Sequence, residues 1–479
     1  MALKIMESTI PWDLDRPLNE TELEEAIYYN IHDTEATDYL FSKFGARIDA
    51  HIALIEHYGL SPYDLIKTGS QKAALIFKAQ PIERYETFNY VAPEVLRKNL
   101  NPKLISLYED KIFSTEKTNN LKHTETLQNL KVEFGLGGLH GALSGFRYKG
   151  KVWNLDVDSF YPSLMIQYNY ISRACPNGVK FLEEMRKQRL EYKKQKHVLD
   201  LALKLIIVAI YGNMAYKNAG MWDQAKQMSI CITGQLMLFW LAELLSPYAT
   251  IVQVNTDGIM FVPHNEEEIK RLWKHWENET KMTLELTEGV EIIQKDVNNY
   301  VFLLKDKDEI DPDDKINGDK YIKAKGNFVR WWNKKIHEDD QFVTHQNFSN
   351  TLTVLDEAVV KYLVWEIPIR ETLLKCKDPM RFSTVVRLQG KYKMAFYGDE
   401  LIPGKTFRVL FTKSGKMLYK AYEKDGEIKK EKFANVSPNS IILNDDLRNK
   451  KLEDFNLDLD LDYYEELAQK QIELFTKGK

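Results

Sequence analysis

Two aspartates at the ends of strand-like segments are the residues of this chain best suited to chemistry. Asp156 follows an apolar, strand-like segment at the start of LDVDSFYPSLM (155–165). Asp257 lies in TIVQVNTDGIMFV (250–262), where Asp257-Gly258 between two apolar runs predicts a β-hairpin. Carboxylates from separate strands repel each other unless a cation lies between them, and ligand sets made of oxygen suit Mg²⁺. The pair predicts a divalent-metal site, although many aspartates in turns only cap or meet solvent.

A predicted helical hairpin between the two aspartates supplies cations for phosphate chemistry. Its arms are 178–196 and 200–217, and they join near His197. The first arm carries three cations on one face, at i, i+4 and i+7: Arg189, Lys193 and Lys196. The second arm repeats the spacing and ends in glycine: Lys204, Val208, Tyr211 and Gly212. Cations from both arms can face one point, as a triphosphate requires, and two divalent ions would stabilise a departing pyrophosphate.

Length and composition are those of a globular chain in a reducing compartment. With 479 residues, of which 44% are hydrophobic and 28% charged, two to four domains are expected. The three cysteines are far apart and outside any metal-ligand spacing, which fits the cytosol and excludes a disulfide framework. The N-terminus has no apolar core of signal-peptide length. The apolar run 228–245 contains Gln235 and Glu243, which predicts a buried helix rather than a membrane span.

Charge is distributed unevenly along the chain. Residues 1–40 carry a net charge of −8 and residues 444–479 a net charge of −4, so residues 41–443 carry +8 within a total of −4. In that basic body, RKQRLEYKKQK (186–196) has six basic residues against Glu191. Such a run is usually a solvated helix face, so binding of a polyanion needs support from other features.

The hydrophobic pattern predicts an α+β organisation. The first ~120 residues are predicted to be mostly helical, and a polar stretch at 114–129 marks a boundary. The glycines of GLGGLHGALSG (135–145) imply tight turns or close approach of the backbone to a ligand. The later segments are predicted in order as β-rich at 285–330, helical at 356–376 and β-rich from residue 383. We find no internal repeat and no transmembrane element in the sequence.

The motifs, in this order, resemble those of family B DNA polymerases, and in detail those encoded by bacteriophages. The family's first palm motif, DxxSLYPS, is matched by 156–163, its fingers motif, KxxxNSxYG, by 204–212, and its second palm motif, DTDS, by 255–258. The basic pair upstream in the fingers is matched by Arg189 and Lys193. Other stretches resemble the primer grip and the linker between exonuclease and polymerase regions: NNYVFLL (298–304), IKAKGNF (322–328) and FGLGGLHGA (134–142).

This resemblance implies template-directed DNA synthesis by two-metal nucleotidyl transfer, with primer-template DNA and deoxynucleoside triphosphates as partners. Two Mg²⁺ ions, for which Mn²⁺ can substitute, would be held by Asp156, Asp257 and the Val157 backbone. Lys204 would join the aspartates in catalysis. The nucleotide would be bound by Ser159, Phe160, Tyr161, Arg189, Lys193, Lys204, Val208 and Tyr211. DNA would be contacted by Gly137, Gly138, Tyr211, Gly212, Thr256, Asn299, Tyr300, Lys323, Lys325 and Gly326.

The fold implied is an α+β right hand of palm, fingers and thumb. Its divisions would be an exonuclease-end remnant at 1–40, a helical N-terminal region at 41–130, palm at 131–176 and 218–330, fingers at 177–217, and thumb with a β-rich portion at 331–479. Tyr161 would lie under the sugar and exclude a 2′-hydroxyl. Asp158 matches no ligand of the family and is expected to be solvated or to support a ligand.

Three positions depart from the family's motifs. Val208 replaces an asparagine, so a hydrogen bond is lost or supplied elsewhere. Asn255 replaces the aspartate that is not a direct metal ligand in the family, and it removes a like charge beside Asp257. Gly258 replaces a serine, which suits a tight hairpin.

The segment YYNIHDTEAT (28–37) resembles the third motif, YxxxD, of the family's 3′–5′ exonuclease, through Tyr29 and Asp33. An exonuclease also needs carboxylates from earlier motifs, and Asp13 and Asp15 are poor substitutes. The expectation is a polymerase without proofreading on its own. It would be a truncated enzyme or one half of a split enzyme, with a separate exonuclease chain docking on 1–40, in the cytoplasm of a host cell if viral.

Other readings explain fewer residues. Asp156-Val157-Asp158 is a DxD that could hold Mn²⁺ in a glycosyltransferase, but that leaves Asp257 and Lys204 unexplained. A non-catalytic DNA-binding subunit would be favoured by loss of either aspartate of the pair, and both are present. An enzyme that makes RNA is disfavoured by Tyr161, and a protein-primed polymerase by the short spacing between the palm motifs.

Overall fold

The structure is a computed structural model that describes residues 4–6, 8, 10, 14–116, 122–313, 320–326, 352–434 and 436–476. The chain divides into two compact units. Unit 1 comprises Met1–Phe44 and Ile292–Lys479, and unit 2 comprises Gly45–Glu291. The boundaries predicted for palm, fingers and thumb stay predictions.

The helices of the described part of the chain are α1 Glu20–Lys43, α2 Gly45–Tyr58, α3 Gly69–Ile76, α4 Glu94–Asn99, α5 Pro102–Glu109, α6 Phe160–Gln167, α7 Gly178–Lys194, α8 Leu199–Ala215, α9 Gln224–Leu245, α10 Glu266–Thr280, α11 Thr353–Trp365, α12 Ile369–Lys375 and α13 Leu461–Thr476. Short 3₁₀ turns lie at Pro62–Ile66, Lys307–Glu309, Pro379–Phe382 and Leu452–Asp454.

The strands are β1 Thr87–Asn89, β2 Ile112–Ser114, β3 His123–Leu127, β4 Leu130–Gly135, β5 Gly138–Ala142, β6 Phe146–Val157, β7 Ala249–Asn255, β8 Gly258–Pro263, β9 Leu284–Asp296, β10 Asn299–Leu303, β11 Ile322–Lys325, β12 Thr384–Arg387, β13 Met394–Tyr397, β14 Glu400–Ile402, β15 Thr406–Lys416, β16 Leu418–Lys424, β17 Glu427–Lys432 and β18 Ser440–Ile442. Their resolved pairings are antiparallel, and with the helices they confirm the α+β class.

The main sheet of unit 2 has the strand order β9-β6-β8-β7-β5-β4-β3. The strands β6 and β8 are neighbours in this sheet, and β8 is buried along nearly its whole length, as a strand covered on both faces requires. Helix α9 packs against this sheet, with Ile232, Leu236 and Leu241 fully buried. It is long and apolar enough to cross a membrane, but most of it is buried in unit 2, so the prediction of a buried helix is confirmed.

The predicted helical hairpin is also confirmed, as α7 and α8. On α8 the buried face includes Leu203, Ile206 and Ile210, each fully buried, and burial of such a side chain stabilises the fold by about 1.5–3 kcal/mol. The prediction for Lys196 is wrong in one respect. Because α7 ends at Lys194 and Lys196 has φ +52°, Lys196 does not continue the helical face.

Two further expectations are corrected. The polar stretch at 114–129 is not only a boundary, since His123–Leu127 forms β3 and pairs with β4. The C-terminal portion is not β-rich throughout, since it ends in α13, whose Tyr464 and Ala468 are fully buried. Acidic and apolar residues alternate in 453–462, so the segment at the start of that helix lacks a helical period in its sequence.

Unit 1 contains the end of β9, the pair β10–β11 and two small sheets. The small sheets have the orders β12-β15-β18 and β14-β13-β16-β17. Helices α11 and α13 pack on each other. The Tyr464 hydroxyl links that core, because it donates to the Phe382 carbonyl at 2.5 Å and accepts from the Phe411 backbone N–H at 3.0 Å.

Candidate active site

The two predicted aspartates lie beside each other in unit 2. Asp156 is at the end of β6, opposite Gly258 at the start of β8. The next residue, Val157, donates its backbone N–H to the Asp257 carbonyl at 2.8 Å. The hairpin turn itself is Thr256-Asp257, one residue earlier than predicted. Backbone pairing therefore brings together two carboxylate residues that are 101 positions apart in sequence.

Gly258 is needed for a reason other than the one predicted. Its φ is not in the left-handed region, so the turn does not require glycine there. A Cβ on Gly258 would overlap Asp156 Oδ1 and would lie 2.9 Å from the Leu155 carbonyl oxygen. The glycine provides the space in which the Asp156 carboxylate lies.

The two carboxylates differ in environment. Asp156 is half-buried, and its Oδ2 accepts from Asn154 Nδ2 at 2.7 Å. Asp257 is exposed. In the described ranges no three His, Cys, Asp or Glu side chains form a metal-binding group. Two carboxylates still fit Mg²⁺, which is commonly held by one or two carboxylates with substrate phosphates and water supplying the rest.

A tight turn follows β6 and starts α6. Ser159 has φ +48° and ψ +50°, a left-handed conformation that is uncommon for a residue with a side chain. Ser163 Oγ donates to the Asp158 carbonyl at 3.1 Å and so holds the turn. The Phe160 side chain is buried, so any ligand at this turn meets the Phe160 backbone and not its ring.

Tyr161 on α6 and Tyr211 on α8 form a half-buried aromatic pair, with ring centroids 4.6 Å apart. Gln227 Nε2 donates to the Tyr211 hydroxyl at 2.6 Å. Burial raises the pKa of both phenols well above its ordinary value, and the charge of Asp257 adds to the shift of Tyr161. Both hydroxyls therefore stay protonated, and the pair forms a neutral wall close to the aspartates.

The exposed face of α8 presents the predicted fingers residues. Lys204, Val208 and Gly212 are exposed at four-residue spacing, and the Val208 side chain is 67% exposed. Lys193 on α7 is exposed as well. Arg189 is instead paired, since its Nε donates to Asp200 Oδ1 at 3.0 Å.

Arg186 belongs to the site and was not predicted. Its Nη2 donates to Asp158 Oδ2 at 2.7 Å, and its Nη1 donates to Ser163 Oγ at 3.0 Å. Asp158 therefore forms an ion pair that links the turn after β6 to α7. Arg186 belongs to the basic run at 186–196, so the sequence marked it as one of several cations on α7. Spacing along a helix, however, does not show which carboxylate faces which arginine.

The glycine-rich segment forms the β4–β5 turn and lies against the aspartate turn. Gly138 has φ +120°, and a Cβ there would lie 2.9 Å from Thr256 Cγ2. His140 Nε2 lies 3.1 Å from Thr256 Oγ1. Gly137 is in the turn itself. The expectation of a tight turn in this segment is confirmed, and close approach of its backbone to a ligand stays a prediction.

Helix α9 anchors the same turn from behind. Gln235 Oε1 accepts from the Gly135 backbone N–H at 3.0 Å, and Cys231 Sγ donates to the Leu136 carbonyl at 3.3 Å. Asn255, one of the departures from the family's motif, uses its Oδ1 to accept from the Thr256 backbone N–H at 2.9 Å. The side chain that replaces a carboxylate thus holds the turn that carries Asp257.

The residues predicted to grip primer DNA lie together in unit 1. Tyr300 on β10 is paired with Lys325 on β11, and Lys323 lies two residues before it on the same face. Gly326 has φ +121°, and a Cβ there would overlap Asn299 Oδ1. The β10–β11 pair thus groups these five residues.

Tyr29 and Asp33 are both on α1 in unit 1. Tyr29 is half-buried and Asp33 is exposed. Their four-residue spacing places them on one side of the helix, as predicted. The residues Asp13 and 327–351 lie outside the described residues.

No protein-family model matches the chain, and no curated protein matches it. Among solved structures, the chain is similar to the family B DNA polymerase of the hyperthermophilic archaeon Pyrobaculum calidifontis, with a TM-score of 0.43 and 14% sequence identity. The similarity covers 96% of this chain and 57% of that polymerase chain. The chain thus spans little more than half the length of that polymerase.

Proposed function

We propose that this protein is a DNA-directed DNA polymerase of family B, which adds deoxynucleotides to a primer 3′ end. One observation carries the proposal, namely the backbone pairing that holds Asp156 at a strand end beside Asp257 in a hairpin turn. The motifs around these residues, described above, supply the family.

Asp156 and Asp257 are the residues that would hold divalent ions, together with the Val157 backbone. Bound Mg²⁺ would lower the pKa of the attacking hydroxyl and offset charge on the leaving pyrophosphate. Because Asp156 Oδ2 is already held by Asn154 at 2.7 Å, its carboxylate is oriented before any ligand arrives. Such preorganisation avoids a cost of reorganisation at the reaction step.

The triphosphate would be bound between the turn after β6 and the α7–α8 hairpin. Ser159 and Phe160 would present backbone N–H groups at the start of α6, where unpaired donors favour an anion. Lys193 and Lys204 would supply exposed cations, and Arg189 a planar fork suited to phosphate. Thr256 and Gly212 would contact DNA.

The sugar would lie against Tyr161. Its ring is packed on Tyr211, and Tyr211 is held in turn by Gln227. A ring that packs on a neighbour held in place resists displacement by an added 2′-hydroxyl. This packing supports selection of deoxynucleotides.

A glycosyltransferase with a DxD site is the weaker proposal. It would need Asp158 as a metal ligand, but Asp158 Oδ2 accepts from Arg186 and Oδ1 accepts from Ser159 Oγ at 3.0 Å. Both carboxylate oxygens are therefore already engaged.

Primer extension with Mg²⁺ and four deoxynucleotides tests the polymerase proposal. Asp156→Asn and Asp257→Asn should each reduce extension at least a thousandfold, because a metal ligand is lost, while DNA affinity stays within a few-fold. The matched control is Glu267→Gln, an exposed carboxylate on α10, which should extend primers as the wild type does. Extension by either aspartate variant above about a thousandth of the wild-type rate would refute the assignment of these ligands.

A further inference from the structure

Arg189 of the α7–α8 hairpin is occupied by a carboxylate from the same hairpin. Its Nε donates to Asp200 Oδ1 at 3.0 Å, and the side chains are 16% and 29% exposed. Within the described residues the two terminal nitrogens of Arg189 have no hydrogen-bond partner. One donor of the guanidinium is thus held, while the fork that suits a phosphate stays available.

Asp200 pairs with one cation of the proposed triphosphate site and shares a helix face with another. It lies four residues before Lys204 on α8, and Lys193 lies four residues after Arg189 on α7, so each pair shares a helix face. A single carboxylate therefore interrupts a group of three cations. A triphosphate that binds Arg189, Lys193 and Lys204 would bring its own negative charge against Asp200.

Asp200 also has an ordinary explanation. It lies in the first turn of α8, where a negative charge stabilises a helix, and the N-cap residue Val198 gives no side-chain cap. On that explanation Asp200 affects the stability of the hairpin and not the affinity for nucleotide. The two explanations predict different measurements.

We infer that Asp200 is an internal substitute for a substrate phosphate, a conclusion that rests on the proposed function. In the nucleotide-free protein Asp200 neutralises Arg189 and keeps it oriented. The polyphosphate of an incoming nucleotide binds the two open terminal nitrogens of Arg189, and its negative charge then displaces Asp200 from Nε. After transfer, Asp200 pairs with Arg189 again and competes with the bound pyrophosphate. This competition favours release of the pyrophosphate.

The Arg186–Asp158 pair is a useful contrast. It links α7 to the turn after β6, and Arg186 also donates to Ser163. Arg186 thus has both terminal nitrogens engaged, whereas Arg189 is held through Nε alone. Of these two pairs, the Arg189–Asp200 pair is the one that leaves a phosphate-binding fork open while it is formed.

Asp200→Asn tests the inference, because it removes the charge and keeps the shape. Affinities for a deoxynucleoside triphosphate and for inorganic pyrophosphate would be measured by equilibrium competition against a fluorescent nucleotide. Both should tighten about two- to fivefold, the factor that corresponds to a partly exposed ion pair. In primer extension, KM for nucleotide should fall, and inhibition by pyrophosphate should become stronger by a similar factor.

Two controls make the result specific. Glu191→Gln makes the same charge change at an exposed α7 residue and should leave both affinities unchanged. Asp200→Asn placed in an Arg189→Met background should have a smaller effect on both affinities than in the wild-type background, because the ion pair is then already absent. If Asp200→Asn does not fold, Asp200→Ser replaces it, since serine is accepted near a helix N-terminus and has no charge.

Different failures have different meanings. A lower melting temperature for Asp200→Asn with unchanged nucleotide and pyrophosphate affinity would overturn the inference and leave the polymerase proposal standing. Equal tightening by Glu191→Gln would overturn it too, since a general field effect would then suffice. A wild-type protein that neither binds nucleotide nor extends primers would overturn both.

Discussion

Arg186 offers the sharpest test of how the turn after β6 is held. Arg186→Met keeps the length and apolar stem of the side chain but removes the ion pair to Asp158 and the hydrogen bond to Ser163. These contacts measure 2.7 and 3.0 Å, and the paired side chains are 24% and 31% exposed. A hydrogen bond to a charged group contributes about 1.5–3 kcal/mol, and an exposed ion pair less than about 1 kcal/mol. Because both side chains are partly exposed, Arg186→Met should lower the free energy of unfolding by about 1–2 kcal/mol, which lies between these two values.

The assay is a double-mutant cycle with Arg186→Met, Asp158→Ala and the combined variant, measured by equilibrium denaturation. We expect a coupling free energy of about 1 kcal/mol between the two positions. For a unit the size of Gly45–Glu291, Arg186→Met should lower the melting temperature by roughly 2–8 °C. KM for nucleotide should rise in the same variants, because the left-handed turn at Ser159 loses its anchor on α7.

A surface pair serves as the matched control. Arg271 pairs with Glu268 on α10, and its side chain is 63% exposed, so Arg271→Met should cost less than about 0.5 kcal/mol. A coupling between Arg186 and Asp158 below about 0.3 kcal/mol would mean that the two residues act independently and that the turn is held by something else.

Three further predictions concern single residues. Tyr161→Ala should incorporate ribonucleotides about 10²-fold more readily, since a steric wall is lost. The control Tyr161→Phe keeps the ring and should not. An unchanged ratio of deoxy- to ribonucleotide incorporation in Tyr161→Ala would contradict this role. Lys323→Ala or Lys325→Ala should weaken DNA binding and reduce the slope of log K against log [salt] by about 1, with KM for nucleotide unchanged; anisotropy titrations at several salt concentrations measure the slope. The expectation that Tyr29 and Asp33 do not suffice for proofreading is tested with Mg²⁺ and a 3′-labelled single strand; loss of label that Asp33→Ala abolishes would show it to be wrong.

Much of the local structure could be predicted from the sequence, because helices and hairpins depend on contacts close in the chain. The apolar pattern of residues 200–217 predicts the second arm of a helical hairpin, and α8 forms it. Two apolar runs around Asp257-Gly258 predict a hairpin, and β7 and β8 form it. The order of motifs suggested that Asp156 and Asp257 meet, and their strands are neighbours.

The partners of the charged side chains were decided only by the tertiary structure. Arg186 and Asp158 are 28 residues apart, and Arg189 and Asp200 are on opposite arms of a hairpin. No periodicity links such pairs, because each depends on how two elements pack and on which rotamers that packing allows. The sequence thus marked 186–196 as basic, but it did not show that both arginines there are already bound to carboxylates.

Gly258 shows, at a single residue, the same difference between what the sequence predicts and what the tertiary structure decides. The sequence by itself predicts a hairpin near Gly258, since Asp-Gly between two apolar runs is a strong hairpin signal. Only the packed sheet shows that glycine is required because it leaves space for the Asp156 carboxylate, and not because of the conformation of the turn. A turn is set by the φ and ψ of adjacent residues, whereas the space beside a Cα is set by whichever strand lies opposite, and that strand comes from more than a hundred residues earlier in the chain.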